Sequence, residues 1–362
     1  MRLCTLTLSG FRNNTGQTIE FEEGPNLICG ENGAGKTNLL EAVFCFAGGK
    51  SFRGCRERDM IAFGEAQAKM KIEFDSLAGS QNMEMRLSRR EKKQIMRNGV
   101  TVQRLSDYFG RFRAVVFTPD HMSLVKGAPE QRRRFIDAAI SQTYPRHVAA
   151  LSEYNKLLLQ KNALLRGDMK DKMPLLSVYN EALASVGAVV TFRRREYFEK
   201  LALFASDMYS GISGGREKMD FVFETQVRSA GDMEEIKSAY GMLLRQKAAS
   251  ELLHRTSLCG AHKDDFTVLV NGRDARLFAS QGQQRSAVLS LKIAEGEMSC
   301  HLTGEYPVFL LDDIMSELDS GRRDFISGKL EGKQVIMTGC DSCGTKNVNV
   351  ISVACGTATH LG

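Results

Sequence analysis

The sequence predicts an α/β fold in which a phosphate-loop head is interrupted by an inserted helical arm. Three observations predict it. Gly30-Glu-Asn-Gly-Ala-Gly-Lys-Thr37 fits G-x-x-x-x-G-K-[ST] between a strand pattern and a helix pattern. An apolar run, Val308-Phe-Leu-Leu311, ends on two adjacent carboxylates, Asp312 and Asp313. Between these pieces, from about 128 to 208, apolar residues recur at steps of three and four.

Residues 1–112 read as a first lobe of short strands with turns at Gly24-Pro25 and Asn98-Gly99. Ile19 to Gly24 and Asn26 to Cys29 read as strand, turn and strand, and Leu39-Leu40-Glu-Ala-Val43-Phe44 has helical composition. Strand, loop and helix thus follow in the order a phosphate loop requires. Gly30, Gly33 and Gly35, with Glu31, Asn32 and Ala34 between them, let backbone N–H groups face phosphates at a helix N-terminus. Lys36 is placed to reach the β and γ oxygens, and Thr37 to hold magnesium. Arg12, in Phe11-Arg-Asn13, is open to two readings: a contact to nucleotide phosphate or an ordinary exposed turn residue.

Residues 113–258 form the arm and a second lobe. Tyr144, Val148, Leu151, Leu158 and Leu165 share one helical face, and Leu176, Tyr179, Leu183, Val186 and Val190 share another. The charged link from Arg166 to Pro174 separates them, which predicts an antiparallel pair. Its limbs are far shorter than an SMC rod. The amphipathic stretch Met233–Leu253 returns the chain to the core.

Residues 259–362 complete the head. Asn271-Gly272 signals a hairpin. Ser280-Gln-Gly-Gln-Gln284 reads as a cap and first helical turn, where exposed N–H groups and the Ser280 hydroxyl can meet a γ-phosphate. A run such as Val308–Leu311 marks a strand buried on both faces, which brings its carboxylates out beside the phosphates. Asp312 is the magnesium partner of Thr37, and Asp313 is placed to orient or deprotonate water. A signature of this kind about thirty residues before two carboxylates points to the ABC-type engine, which closes as a homodimer around ATP. Ser280, Gln281, Gly282 and Gln283 then contact the partner's nucleotide, and Ser316-Glu-Leu-Asp319 crosses the same interface as a D-loop. Aspartate at 313 reaches less far than glutamate, so slow turnover is expected.

With 43% hydrophobic and 25% charged residues, the 362-residue chain can bury one large core or two moderate ones. There is no run of eighteen apolar residues, and Met1-Arg-Leu-Cys-Thr5 reads as a strand rather than a signal peptide, so no membrane insertion and a cytoplasmic location are expected. Nine cysteines scattered through core patterns suit a reducing compartment, and Cys340 with Cys343 forms a lone C-x-x-C read as plain thiols. The net charge of +6 is a modest argument for nucleic acid, but local clusters add to it. Arg86-Leu-Ser-Arg-Arg-Glu-Lys-Lys93 offers Arg89, Arg90, Lys92 and Lys93, and Arg132-Arg-Arg134 offers Arg132 and Arg133; Arg193-Arg-Arg195 is a third cluster. Aromatic residues do not interleave with these, which favours contact with the DNA backbone over base readout. Taken singly, each cluster also reads as a solvated face.

Phe117-Thr-Pro-Asp-His-Met-Ser-Leu-Val-Lys-Gly127, Arg132-Arg-Arg-Phe-Ile-Asp137, Gly260-Ala-His-Lys-Asp-Asp265, the signature with Arg285, and Leu311-Asp-Asp-Ile-Met-Ser-Glu-Leu-Asp319 together resemble the RecF family of bacterial recombination mediators, from Phe11 to about Thr338. The resemblance implies a cytoplasmic ABC-type ATPase related to SMC proteins, which uses ATP and Mg2+, dimerises on ATP and binds single-stranded or gapped duplex DNA. It further implies RecO and RecR as partners in loading RecA at gaps, with roles in replication, repair and the SOS response. Two departures stand out. The family pattern is Gly-Pro-His-Arg-Asp-Asp where this chain has Ala261 and Lys263, leaving His262 and Lys263 without an assigned role. Gly339-Cys-Asp-Ser-Cys343 replaces a threonine-rich turn after the last core strand, read as Gln334-Val-Ile-Met-Thr338, with no histidine as γ-phosphate sensor.

A transporter nucleotide-binding subunit shares the three motifs but lacks the arm. A small-molecule kinase needs no signature. A scaffold with a dead ATPase is a further reading, since Asp313 stands where glutamate is usual.

Overall fold

The computed structural model describes all residues except 15, 169–170, 229–230, 340–347 and 362. Among the described residues, the sheet that carries the site runs Thr357–Leu361, Asn349–Ala354, Pro25–Cys29, Val335–Gly339, Val308–Leu311, Ala114–Phe117. The last five strands of that order are mutually parallel, and the edge strand Thr357–Leu361 turns back antiparallel. Ala114–Phe117 and Val308–Leu311 are buried throughout, as strands covered on both faces must be. The phosphate loop follows Pro25–Cys29 and the carboxylates follow Val308–Leu311, so both emerge at the carboxyl ends of parallel strands, one strand apart.

Two expectations change here. The strand pair read over residues 19–29 is split between sheets: Gln17–Glu20 pairs with Arg2–Ser9, whereas Pro25–Cys29 enters the parallel sheet. Val335–Gly339 is not the last core strand, because the hairpin Asn349–Ala354 and Thr357–Leu361 extends the sheet on the far side of Pro25–Cys29. Cys340 and Cys343 lie outside the described residues.

The second sheet is antiparallel, in the order Gln17–Glu20, Arg2–Ser9, Gln67–Ser76, Gly79–Ser88, Gln94–Arg97, Val100–Thr101. Gln67–Ser76 alternates buried and open positions, and its buried Met70, Ile72 and Phe74 share a core with Leu39, Leu40, Val43 and Phe46 of the helix Lys36–Gly48. Asn98 and Gly99 turn the last hairpin with φ of 48° and 78°, the left-handed pair such a two-residue turn requires. Asn271 and Gly272 do the same, with φ of 50° and 74°, between Asp265–Val270 and Arg273–Asp274.

The arm consists of Pro145–Arg166 and Met173–Ser213, which pack on one another and are joined by a short link. Met173–Ser213 also packs on Met233–His254 and on the signature helix Gln281–Thr303. Among the described residues it is the one helix long and apolar enough to cross a membrane, with mean hydropathy 1.4 although it holds no unbroken run of eighteen apolar residues. Its Leu183, Ala188, Tyr197, Phe198 and Leu201 are instead consumed by two internal cores. The buried stripe of Pro145–Arg166 is more polar than its leucines predict: His147, Tyr154 and Lys161 are inside, and Lys161 pairs with Glu251 at 2.7 Å with both side chains fully buried.

Candidate nucleotide site

The phosphate loop is shaped by what surrounds it. Gly30 adopts φ of 152°, and a Cβ there would lie 2.2 Å from the carbonyl oxygen of Val353, so only glycine fits against the edge of Asn349–Ala354. Gly35, at φ of 112°, precedes Lys36–Gly48 without a side-chain cap, which leaves first-turn N–H groups to an anion. The far hairpin braces the loop: the Gly356 N–H donates to the Ala34 carbonyl at 3.0 Å, and Gln17 Nε2 to the Gly356 carbonyl at 2.9 Å.

The loop borders a cavity of about 200 Å³ lined by Glu31, Asn32, Gly33, Gly35, Lys36, Thr37, Asn38, Arg53 and Asp313. Lys36 is folded back on the loop and donates from Nζ to the Gly30 carbonyl at 2.6 Å and the Glu31 carbonyl at 3.3 Å. Thr37 Oγ1 donates to Asp312 Oδ1 at 2.7 Å, and Thr338 Oγ1 donates to the same oxygen at 3.1 Å. Burial raises the Asp312 carboxyl above the ordinary range, the hydroxyls of Thr37 and Thr338 oppose this, and neighbouring Asp313 adds to it. A buried carboxylate next to a hydroxyl is a fitting hard-oxygen donor set for magnesium, which takes one or two protein ligands and completes its shell with water and phosphate. No cluster of three or more His, Cys, Asp or Glu side chains placed to hold a metal occurs among the described residues.

Asp313 has φ of 54°, unusual for a residue with a side chain. Both of its backbone polar groups are held: its N–H donates to Thr338 Oγ1 at 2.9 Å, and its carbonyl accepts from Ser316 Oγ at 2.8 Å. Asp313 lines the cavity.

Arg12 does not behave as a free phosphate ligand. Its Nε and Nη2 fork onto Glu41 at 2.8 and 2.6 Å, and its Nη1 donates to the Asp59 carbonyl at 2.8 Å. Burial pushes the Glu41 carboxyl up, but hydrogen bonds from Arg12 and Ser51 with the charges of Arg12 and Arg53 outweigh it and hold it below its usual range. The arginine that lines the cavity is instead Arg53, which donates to Asn38 Oδ1 at 3.0 Å and lies 3.7 Å from Glu41. Sequence reasoning missed Arg53, Asn38, Glu41 and Thr338. A glutamate inside the apolar run Leu39–Val43 was the available signal for a buried partner.

The cap and first helical turn read at residues 280–284 form. Ser280 caps Gln281–Thr303, accepting from the Gln283 N–H at 3.2 Å while Gln283 Oε1 accepts from the Ser280 N–H at 2.8 Å. Ser280, Gln281, Gly282 and Gln283 line no part of the loop cavity. In the segment read as a D-loop, Ser316, Glu317 and Asp319 are exposed and Leu318 is buried.

The basic residues divide. Arg90 and Lys92 are exposed. Arg89 donates to the carbonyls of Glu65, Ile61 and Ala62, and Lys93 to the Gly49 carbonyl at 2.7 Å and to Glu57 at 2.5 Å. Arg132 is a correction: its guanidinium is buried and forks onto Asp265 at 2.6 and 2.8 Å, so it is not a surface cation. Arg133 is half-buried and donates to the Asp264 carbonyl at 2.9 Å. Arg194 is also inside, bridging Asp137 and Asp264. His262 is structural, its Nδ1 2.8 Å from the Tyr154 hydroxyl.

A phosphate loop and its carboxylates on one parallel sheet, with the signature carried elsewhere on a separate capped helix, define an ABC-type ATPase head of the SMC kind. Residues 2–354 match the family described as the RecF/RecN/SMC N terminal domain. The DNA replication and repair protein RecF of Geobacillus thermodenitrificans is 36% identical over 368 residues, covering 100% of this chain and 98% of that protein. The RecF of Symbiobacterium thermophilum is 38% identical, covering 94% and 92%. Among solved structures, the recombination mediator RecF with ATP, of the RecFOR pathway, superposes with a TM-score of 0.93 at 33% identity over 100% of this chain and 98% of that one. An Smc head bound to the C-winged helix domain of ScpA shares the fold alone, with a TM-score of 0.58 at 18% identity over 100% of this chain and 97% of that one. The chain belongs to the RecF family. These matches do not favour the transporter reading.

Proposed function

We propose that this protein is an ATP-driven DNA clamp of recombinational repair, acting in replication, repair and the SOS response. It binds ATP with magnesium in the loop cavity, pairs with a second copy of itself, and grips DNA at gaps. With RecO and RecR it then assists RecA loading in the cytoplasm. The observation that carries the reading is the split site: Lys36, Thr37 and Asp313 line one cavity, Asp312 accepts from Thr37 beside it, and the capped signature lies outside it, leaving a γ-phosphate to be read by a second subunit.

In this mechanism the loop N–H groups and Lys36 hold the phosphates. Thr37 and Asp312 would hold magnesium, which neutralises charge on the β and γ oxygens when bound. Asp313 orients water for attack on the γ-phosphorus, and cleavage to ADP and phosphate removes the group that joined the subunits. The short reach of its side chain supports slow turnover. Arg90 and Lys92 belong to the surface that meets phosphates of DNA.

Light scattering with and without ATP and magnesium, run beside DNA binding, tests this. An ATP-dependent dimer that Lys36→Met abolishes is the expected result; ATP-driven dimerisation of the Lys36→Met protein at the wild-type level would refute it.

A further inference from the structure

The signature and the D-loop are bolted together within one chain by Arg322. Arg322 lies in the first turn of the helix Ser320–Leu330, directly after the D-loop. Its Nε donates to Ser286 Oγ at 2.9 Å, and its Nη2 to the Gly282 carbonyl at 3.2 Å. Its Nη1 pairs with Asp319 Oδ2, while Asp319 Oδ1 accepts from the Arg322 N–H at 3.0 Å and caps the helix. A Cβ on Gly282 would lie 3.1 Å from Nη2, so the signature glycine is where the guanidinium closes on the helix. Arg285 adds a parallel tie, donating to the Glu317 carbonyl at 3.3 Å and lying 3.6 Å from its carboxylate.

The D-loop is in turn tied to the catalytic carboxylate, since Ser316 Oγ donates to the Asp313 carbonyl at 2.8 Å. A continuous path therefore runs from Gly282 and Ser286 through Arg322 and Asp319 to the backbone of Asp313. One end reads the nucleotide of the partner, and the other acts on the nucleotide of its own chain. The planar fork suits this task, because three acceptors in fixed directions define an orientation that a single ammonium cannot. We propose that Arg322 is a positioning residue through which engagement of the partner's ATP sets Asp313 for hydrolysis, so that the two sites of the dimer fire cooperatively. This rests on the ATP-dimer reading above.

The test compares wild type, Arg322→Gln, Arg322→Lys and Ser286→Ala in three measurements: binding of a fluorescent ATP analogue by the monomer, ATP-dependent dimerisation, and hydrolysis rate against ATP concentration. Wild type is expected to dimerise and to show a Hill coefficient above one. Arg322→Gln is expected to bind the analogue as wild type does, to need about tenfold more protein to dimerise, and to lose the cooperativity. Arg322→Lys should recover part of the dimerisation and little of the cooperativity. Ser286→Ala, which removes one acceptor and little volume, should shift in the same direction if Arg322→Gln does not fold. Wild-type dimerisation and an unchanged Hill coefficient in Arg322→Gln, or in Ser286→Ala where that stands in, would overturn the assignment and leave the clamp standing. A wild-type protein that stays monomeric with ATP would bring down the clamp and this coupling with it.

Discussion

Thr338→Val is the perturbation that isolates the strained carboxylate. Valine keeps the β-branch and nearly the volume of threonine in a buried position, and removes only the hydroxyl that accepts from the Asp313 N–H and donates to Asp312. A left-handed backbone costs a residue with a Cβ roughly 1–2 kcal/mol. The lost hydrogen bond to the Asp313 N–H is worth about 1 kcal/mol, and the bond to the Asp312 carboxylate about 1.5–3 kcal/mol. The support removed is therefore as large as the strain it holds, and Asp313 is freed to relax away from the cavity. Since about 1.4 kcal/mol is a factor of ten in rate, hydrolysis at saturating ATP should fall about ten- to thirtyfold. Binding should change less, because Asp312 keeps its bond from Thr37 and Lys36 is untouched. Single-turnover hydrolysis beside equilibrium binding of an ATP analogue separates the two effects, and Thr338→Ser should restore the rate. Hydrolysis by the valine protein at the wild-type rate would refute the view that Thr338 holds Asp313 in place.

Other outcomes follow from charge and burial. Burial, reinforced by Lys263, depresses His262 to about 4, and burial with Lys292 depresses His121 to about 3. Both fold as neutral rings, so their stabilisation is present above the unfolded value near 6.5 and is lost as pH falls toward those values. Thermal unfolding temperature should drop steeply below about pH 6, and His262→Gln should flatten part of the slope; a profile flat from pH 7 to 4.5 would contradict it. Replacing exposed Arg90 and Lys92 by glutamine should weaken DNA binding across sequences and reduce the salt slope by roughly 2, read by titration at several salt concentrations. Arg132→Ala should instead cost about 3–5 kcal/mol of stability in denaturant melts, because it strands Asp265.

The parts of the site that lie in unbroken stretches were legible from the sequence. Gly30 to Thr37, Ser280 to Gln284 and Val308 to Asp313 each carry their chemistry within a few residues, and periodicity marked the arm. What sequence could not show is which charges are already spent. Arg132 and Arg194 look like surface cations in their triplets, yet Asp137, Asp264 and Asp265, distant in the chain, draw them inside. Arg12 was open for the same reason, since its partner is a glutamate buried in the loop's own helix. The strand order was equally hidden, because neighbours in the parallel sheet come from opposite ends of the sequence and short apolar strands carry no label of whom they pair with.

The hairpin that braces the phosphate loop gives the protein a built-in order of assembly. Gln17 and Gly356 meet across 339 positions, and Gly30 packs against Val353. Contacts so distant in sequence must await loop closure, which makes them slow to form. During synthesis the loop is made well before the hairpin that forms its outer wall, since the two are so far apart in the chain. A nascent chain therefore carries the phosphate-binding motif before the wall that braces it has docked.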